Sequence, residues 1–163
     1  MDGRKVSESR FVLSKMMEPQ DTNPFGSVHG GVIMKNIDVA GAVAAMRHCR
    51  SNAVTVSVDR IDFIEPVRVG ELVLFKATVN AVGRTSMEVG VRVEAENLLT
   101  GNVRYVASAY ITFVAVDANG KPCPVPPLAV ETEEEARRCA EAALRRETRL
   151  TLRRAEAASQ AKG

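Results

Sequence analysis

From Gly31 to about His48, apolar residues recur almost all the way round a helical wheel: Val32, Ile33, Met34, Ile37, Ala40, Gly41, Ala44, Ala45 and Met46. A helix apolar over that much of its circumference is expected inside a core. Gly41 is a poor helix former that permits close backbone approach, which points to packing against a sheet. Beyond residue 52 the period changes to two. Val54, Val56 and Val58 fall on one face of a strand over 53–64, and Ile61 and Phe63 fall on the other. That switch predicts a bulge near Asp59–Arg60. A strand over 72–82 follows the turn at Gly70–Glu71, and Gly83–Arg84–Thr85–Ser86 turns the chain again. Met87, Val89, Val91, Val93 and Ala95 then alternate with polar residues or glycine, as in a half-buried strand. A turn at Thr100–Gly101–Asn102 leads into a last strand over 103–116, closed by Asn119–Gly120.

Ahead of the helix, residues 8–17 read as a strand, and Pro19, Asp21, Asn23, Pro24 and Gly26 as a loop. The order strand, helix, four strands predicts an α+β domain, an antiparallel meander wrapped round one buried helix. The run KPCPVPPL reads as an exit with no strand hydrogen bonding to offer. A second helix is expected from Glu131 to about Ala155, acidic at its start and basic at its end, as the helix dipole favours. Its thin apolar side (Ala136, Ala140, Ala143, Leu144) suits a surface or inter-subunit element, with a frayed solvated tail as the alternative.

The 163 residues suffice for one ordinary domain. A net charge of +2 with no basic segment removes the case for nucleic-acid binding. Cys49, Cys123 and Cys139 show no CxxC spacing, and His29 and His48 complete no metal set, so a reducing compartment and no metal are expected. MDGRKVSESR lacks the apolar run of a signal peptide, and no stretch approaches the roughly 20 apolar residues of a membrane span. A cytoplasmic protein without a membrane partner is the expectation.

Asp38 stands in the middle of the most apolar helix. A carboxylate there is paired, exposed or kept for function, and Lys35, three positions earlier, is a ready partner. Gly30–Gly31 opens the same helix after His29, leaving N–H groups free at its positive end to face a developing oxyanion. Asn23 lies on the approaching loop, with an amide suited either to orienting water or to forming a turn. His29 reads as a loop anchor and His48 as a helix-end residue. Ser27 lacks a GxSxG context, Cys49 ends a helix where nothing favours a thiolate, and the phosphate-loop motifs are absent.

The run DTNPFGSVHGGVIMKNIDVAGAVAAMRHC resembles the signature of the hotdog acyl-CoA thioesterases, in particular the cytosolic long-chain acyl-CoA hydrolases and their bacterial relatives. The likeness continues through VDRIDFIEPVRVGE, GRTSMEVGVRVEAENLLTG and VPPL, over roughly residues 10–128. It implies a single hotdog domain over 8–128, a long central helix wrapped by five or six antiparallel strands, and a C-terminal helical extension over 129–158. It implies acyl-CoA hydrolysis without a cofactor, at sites shared across a homodimer that assembles into a hexameric trimer of dimers. Asn23 and Asp38 match the reaction centre, Asp38 acting as general base or nucleophile and Asn23 coming from the partner subunit, with the Gly31 N–H on the oxyanion. Where related bacterial enzymes carry an aspartate this chain has Ser27, which favours the Asn23/Asp38 pattern. His29 and Gly30 line the substrate, and Arg60, Arg84, Thr85 and Ser86 are the candidates for contacts with the CoA phosphates. Met34, Phe63 and Phe75 are candidates for the acyl tunnel. An acyl-CoA sensor without catalysis and a hotdog hydratase or dehydratase are the alternatives.

Overall fold

A computed structural model describes residues 2–161. The elements are β1 (Arg4–Lys5), α1 (Val6–Ser9), β2 (Phe11–Met16), a 3-10 turn (Pro19–Asp21), α2 (Gly30–Cys49), β3 (Asn52–Phe63), β4 (Leu72–Val82), β5 (Ser86–Asn97), β6 (Asn102–Val116), β7 (Leu128–Ala129) and α3 (Glu133–Gln160). The expected strand over 8–17 is shorter than its apolar run, because Val6–Ser9 coil into a helical turn whose Val6 is buried.

Five antiparallel strands in the order β2-β4-β5-β6-β3 wrap α2. The meander expected from chain order therefore holds only for β4-β5-β6. β3 pairs with β6, not with its neighbour in sequence, and its other side is an open edge. The core lies between α2 and the concave face of the sheet, where Ile33, Ile37, Ala40 and Ala44 meet Phe75, Val89, Ile111 and Phe113. A Cβ added at Gly41 would sit 3.0 Å from two ring atoms of Phe113, so the glycine is what lets the helix settle this deeply. Among the described residues only one side of α2 is covered: Met34, Val39 and Met46 stay exposed although they are as apolar as the buried set.

β3 carries two register shifts against β6, one between Thr55 and Ser57 and one between Val58 and Arg60. The second is the bulge expected at Asp59–Arg60, and the first was not visible in the pattern. It breaks the single valine face, since Val54 now lies opposite Val114 and Val58 opposite the core residue Ile111.

The proline-rich exit does make strand-like hydrogen bonds. Cys123 N donates to Ala115 O, Val125 N to Arg84 O, and Leu128–Ala129 pair in parallel with Arg4–Lys5. Prolines deny the strap only their own donors, and the intervening residues supply theirs. α3 crosses the convex face of the sheet. There the buried Glu88 takes a fork of hydrogen bonds from Arg145 and one from Asn80, and Arg149 pairs with Asp59. Thr132 caps α3 by accepting from Glu135 N, which starts the helix two residues later than expected, and helix persists to Gln160.

Candidate active site

The loop before α2 is held by its own polar side chains. Asp21 accepts from Glu18 N and from Lys15 Nζ, both at 2.9 Å, which holds its carboxyl below the ordinary range, the backbone donor being the larger cause. Its carbonyl takes the His29 N–H at 2.8 Å, so the loop is anchored directly to the start of the helix. Asn23 closes the tip: Oδ1 accepts from Phe25 N and Ser27 N, and Nδ2 donates to Ser27 Oγ. The second amide hydrogen of Asn23 has no acceptor among the described residues. Ser27 is thereby a turn partner of Asn23. The tip also presents Phe25 almost wholly to solvent, 93% exposed.

Helical bonding in α2 begins at Val32, whose N–H reaches His29 O at 3.0 Å. The N–H groups of Gly30 and Gly31 have no acceptor among the described residues, and beyond its chain neighbours and its own helix backbone no atom lies within 4 Å of where a Gly31 Cβ would stand. Positive helix end, unpaired donors and open space come together at this point. The His29 ring is exposed and has no hydrogen-bond partner among the described residues.

Asp38 lies on the uncovered side of α2, not in the core. Its Oδ1 accepts from Thr55 Oγ1 at 2.6 Å, and Lys35 forms no ion pair with it. Thr55 reaches α2 because it stands opposite Phe113, on the concave face, just before the first bulge of β3. Reading the sequence missed this residue: within Val-Thr-Val-Ser-Val a threonine is an ordinary strand former.

Between the start of α2 and the end of β3 opens a cavity of about 350 Å³ lined by Val28, Gly30, Ile33, Phe63, Val67 and Val106. Phe63 is thus at a cavity wall, Met34 is on the open helix face, and Phe75 is fully buried in the core under α2. A larger groove of about 470 Å³ under α3 is rich in charge that cancels internally. Arg10, Arg92, Arg137, Arg138 and Arg145 each already hold a glutamate.

The residues proposed for CoA phosphates are dispersed. Arg60 pairs with Asp62 at 2.5 Å on β3. Arg84, Thr85 and Ser86 form the turn beside Ala115 and Val125, at the end of the sheet where α2 finishes, opposite Gly31. Among the described residues no three of His, Cys, Asp and Glu gather to hold a metal ion, and no helix is long and apolar enough to cross a membrane.

Residues 25–101 match the thioesterase superfamily. Over 132 residues, 81% of this chain and 77% of the other, the sequence is 43% identical to an uncharacterised acyl-CoA thioester hydrolase of Bacillus subtilis. A hexameric acyl-CoA thioesterase in its apo form superposes with a TM-score of 0.90 at 40% identity, covering 93% of this chain and 97% of that one. An acyl-CoA hydrolase of Staphylococcus aureus, in complex with butyryl coenzyme A, coenzyme A and coenzyme A disulfide, gives 0.88 at 34% identity, over 98% and 96%. Structures of that enzyme with an aspartate, an asparagine or a threonine replaced by alanine are matched as well. The architecture is the hotdog fold of these proteins.

Proposed function

The chain belongs to the thioesterase superfamily, and on that footing we propose that it hydrolyses fatty acyl-CoA to a free acid and CoA, in the cytoplasm and without a cofactor. The observation that carries the reading is the Asp38 carboxylate, exposed on α2 and held at one oxygen by Thr55, on the same helix face as the unpaired N–H of Gly31. Seven residues separate the two, close to two full turns, so they face the same way about 10 Å apart along the axis. No single thioester carbonyl spans that distance. Two copies of α2 set antiparallel about a twofold axis near Met34 would bring Gly31 of each opposite Asp38 of the other.

The uncovered surface fits such a pairing. Met34, Val39 and Met46 on α2 are exposed, and so are Val54, Val56 and Val58 on the edge strand β3. A long apolar edge strand with unpaired backbone groups is a liability unless another strand completes it. A homodimer joined through β3 covers both, and dimers assemble further into a trimer of dimers, in keeping with the hexameric relative.

In the shared site the thioester carbonyl oxygen meets the N–H of Gly31, which stabilises the oxyanion as it forms. Asp38, oriented through Oδ1 by Thr55, takes a proton from the attacking water with Oδ2. The free amide hydrogen of Asn23, from the partner subunit, holds that water or the carbonyl. Direct attack by Oδ2, giving a transient mixed anhydride, is the alternative chemistry, and hydroxylamine would trap that anhydride as a hydroxamate. The apolar cavity at Val28 and Phe63 receives an apolar arm of the substrate. His29 and Gly30 line its entrance, and Arg60, Arg84, Thr85 and Ser86 meet the CoA phosphates, the turn at Arg84 reaching them from another subunit.

The test is release of free CoA from short to long acyl-CoAs by the wild type, Asn23→Ala and Asp38→Ala. Turnover by the wild type, lost by both variants while they still assemble, supports the reading. Acyl-CoA binding without thiol release makes the protein a sensor, and formation or loss of an enoyl chromophore makes it a hydratase or dehydratase.

A further inference from the structure

The C-terminal end of α2 is clasped by the strap that follows β6. His48, fully buried, bonds through Nε2 to Pro126 O at 2.9 Å. One residue on, Cys49 Sγ lies 3.3 Å from Ser51 Oγ, and the same hydroxyl lies 3.6 Å from Cys123 Sγ in the strap. All three cysteines are free. Two thiols far apart in sequence thus share one small side chain as their common neighbour, at the place where helix and strap meet. Cys49 is buried and Cys123 is partly open to solvent. The third thiol, Cys139, lies elsewhere, in the groove between α3 and the sheet beside Ala81 and Arg146.

We infer that Cys49 and Cys123 form a thiol–disulfide exchange site whose oxidant is a low-molecular-mass disulfide and whose closed form is a covalent latch between α2 and the strap. The steps balance. The more exposed thiol, Cys123, attacks as its thiolate one sulfur of the small disulfide. One small thiolate leaves, and Cys123 carries a mixed disulfide. Cys49 then loses its proton to solvent and attacks the Cys123 sulfur, expelling the second small thiolate. One S–S bond breaks and one forms, the protein is oxidised by two electrons, and the reagent leaves as two thiols. With contacts of 3.3 and 3.6 Å to one hydroxyl, closure requires Ser51 Oγ to turn away and the strap to bring Cys123 up to Cys49. Because the bridge would close a long stretch of chain that includes β3, β4, β5 and β6, it restricts the unfolded ensemble strongly.

Neither sulfur belongs to the proposed catalytic apparatus, so the test stands apart from it. Full-length protein is incubated with glutathione disulfide, remaining thiols are alkylated, and peptides are mapped without reduction. The expected result is a peptide pair linked through Cys49 and Cys123 with Cys139 alkylated, and a Tm several degrees above that of the reduced protein, reversed by dithiothreitol. Cys49→Ser should stop at glutathione on Cys123. A wild-type protein that also stops at mixed disulfides, or that bridges through Cys139, overturns the site. A 49–123 bridge that leaves Tm unchanged overturns the latch.

Discussion

The hydroxyl of Thr55 donates to Asp38 Oδ1 at 2.6 Å, tying the middle of the central helix to the open edge strand. This one bond fixes which carboxylate oxygen stays free and where it points. A hydrogen bond to a charged group contributes about 1.5–3 kcal/mol, equivalent to a rate factor of roughly 10–160 when the orientation matters in the transition state. Thr55→Val should therefore lower kcat by about that factor with KM little changed, while Thr55→Ser keeps most of the activity. Steady-state kinetics on one acyl-CoA decides it, and equal losses in the serine and valine variants would remove the orienting role.

If Asn23 and Asp38 of one site come from different chains, two inactive variants should rescue each other. In a heterodimer of Asn23→Ala with Asp38→Ala, one site carries both lesions and the other carries none. Random mixing then restores about a quarter of wild-type activity. Co-expression under two affinity tags followed by CoA-release assays reads the result. No rescue would place both residues of each site on one chain.

His48 gives stability a definite dependence on pH. Burial holds its pKa below the ordinary value, outweighing the bond to Pro126, while Arg4 lowers and Glu8 raises it further from outside. Nδ1 has no partner among the described residues, so a proton there would be a buried, unpaired charge. The folded state binds that proton less readily than the unfolded chain. Stability is accordingly complete above about pH 7 and falls as pH drops through 6, with a slope of at most about 1.4 kcal/mol per pH unit from this group. Thermal melts from pH 8 to 5 should show the decline, and His48→Gln should flatten it.

Gly41→Ala sets two effects against each other. Alanine gains about 1 kcal/mol in helix propensity. The new methyl, however, would lie 3.0 Å from two ring atoms of Phe113, which is fully buried. Overpacking of that kind costs about 1–3 kcal/mol, so the variant should be destabilised on balance. Urea denaturation compares it with Gly41→Ala in a Phe113→Leu background, where the penalty should shrink.

The strand over 72–82 and the central helix were legible in the sequence because burial on one face writes a period that composition alone can carry. The bulge at Asp59 was legible too, since it flips the parity of Ile61 and Phe63. The bulge at Val56 was not: valines on both sides keep the pattern intact. Nor was the pairing of β3 with β6, a long-range choice that local periodicity does not encode. Asp38 stood out as a carboxylate among apolar residues, but on which side of α2 it lies depends on where the sheet stops. Its partner Thr55 left no trace. Phe75 and Phe63 are alike in sequence context, and only the packed structure puts one under the helix and the other at a cavity.

The spacing of Gly31 and Asp38 on one face of α2 bears on how such a protein behaves when scarce. If the centre is shared as proposed, each chain on its own carries two halves that face outward and never meet. Catalytic capacity is then a second-order property: specific activity is constant at high protein concentration and falls in proportion to concentration once subunits separate on dilution. On that proposal, synthesis of the protein would switch the reaction on with a threshold, through mass action alone.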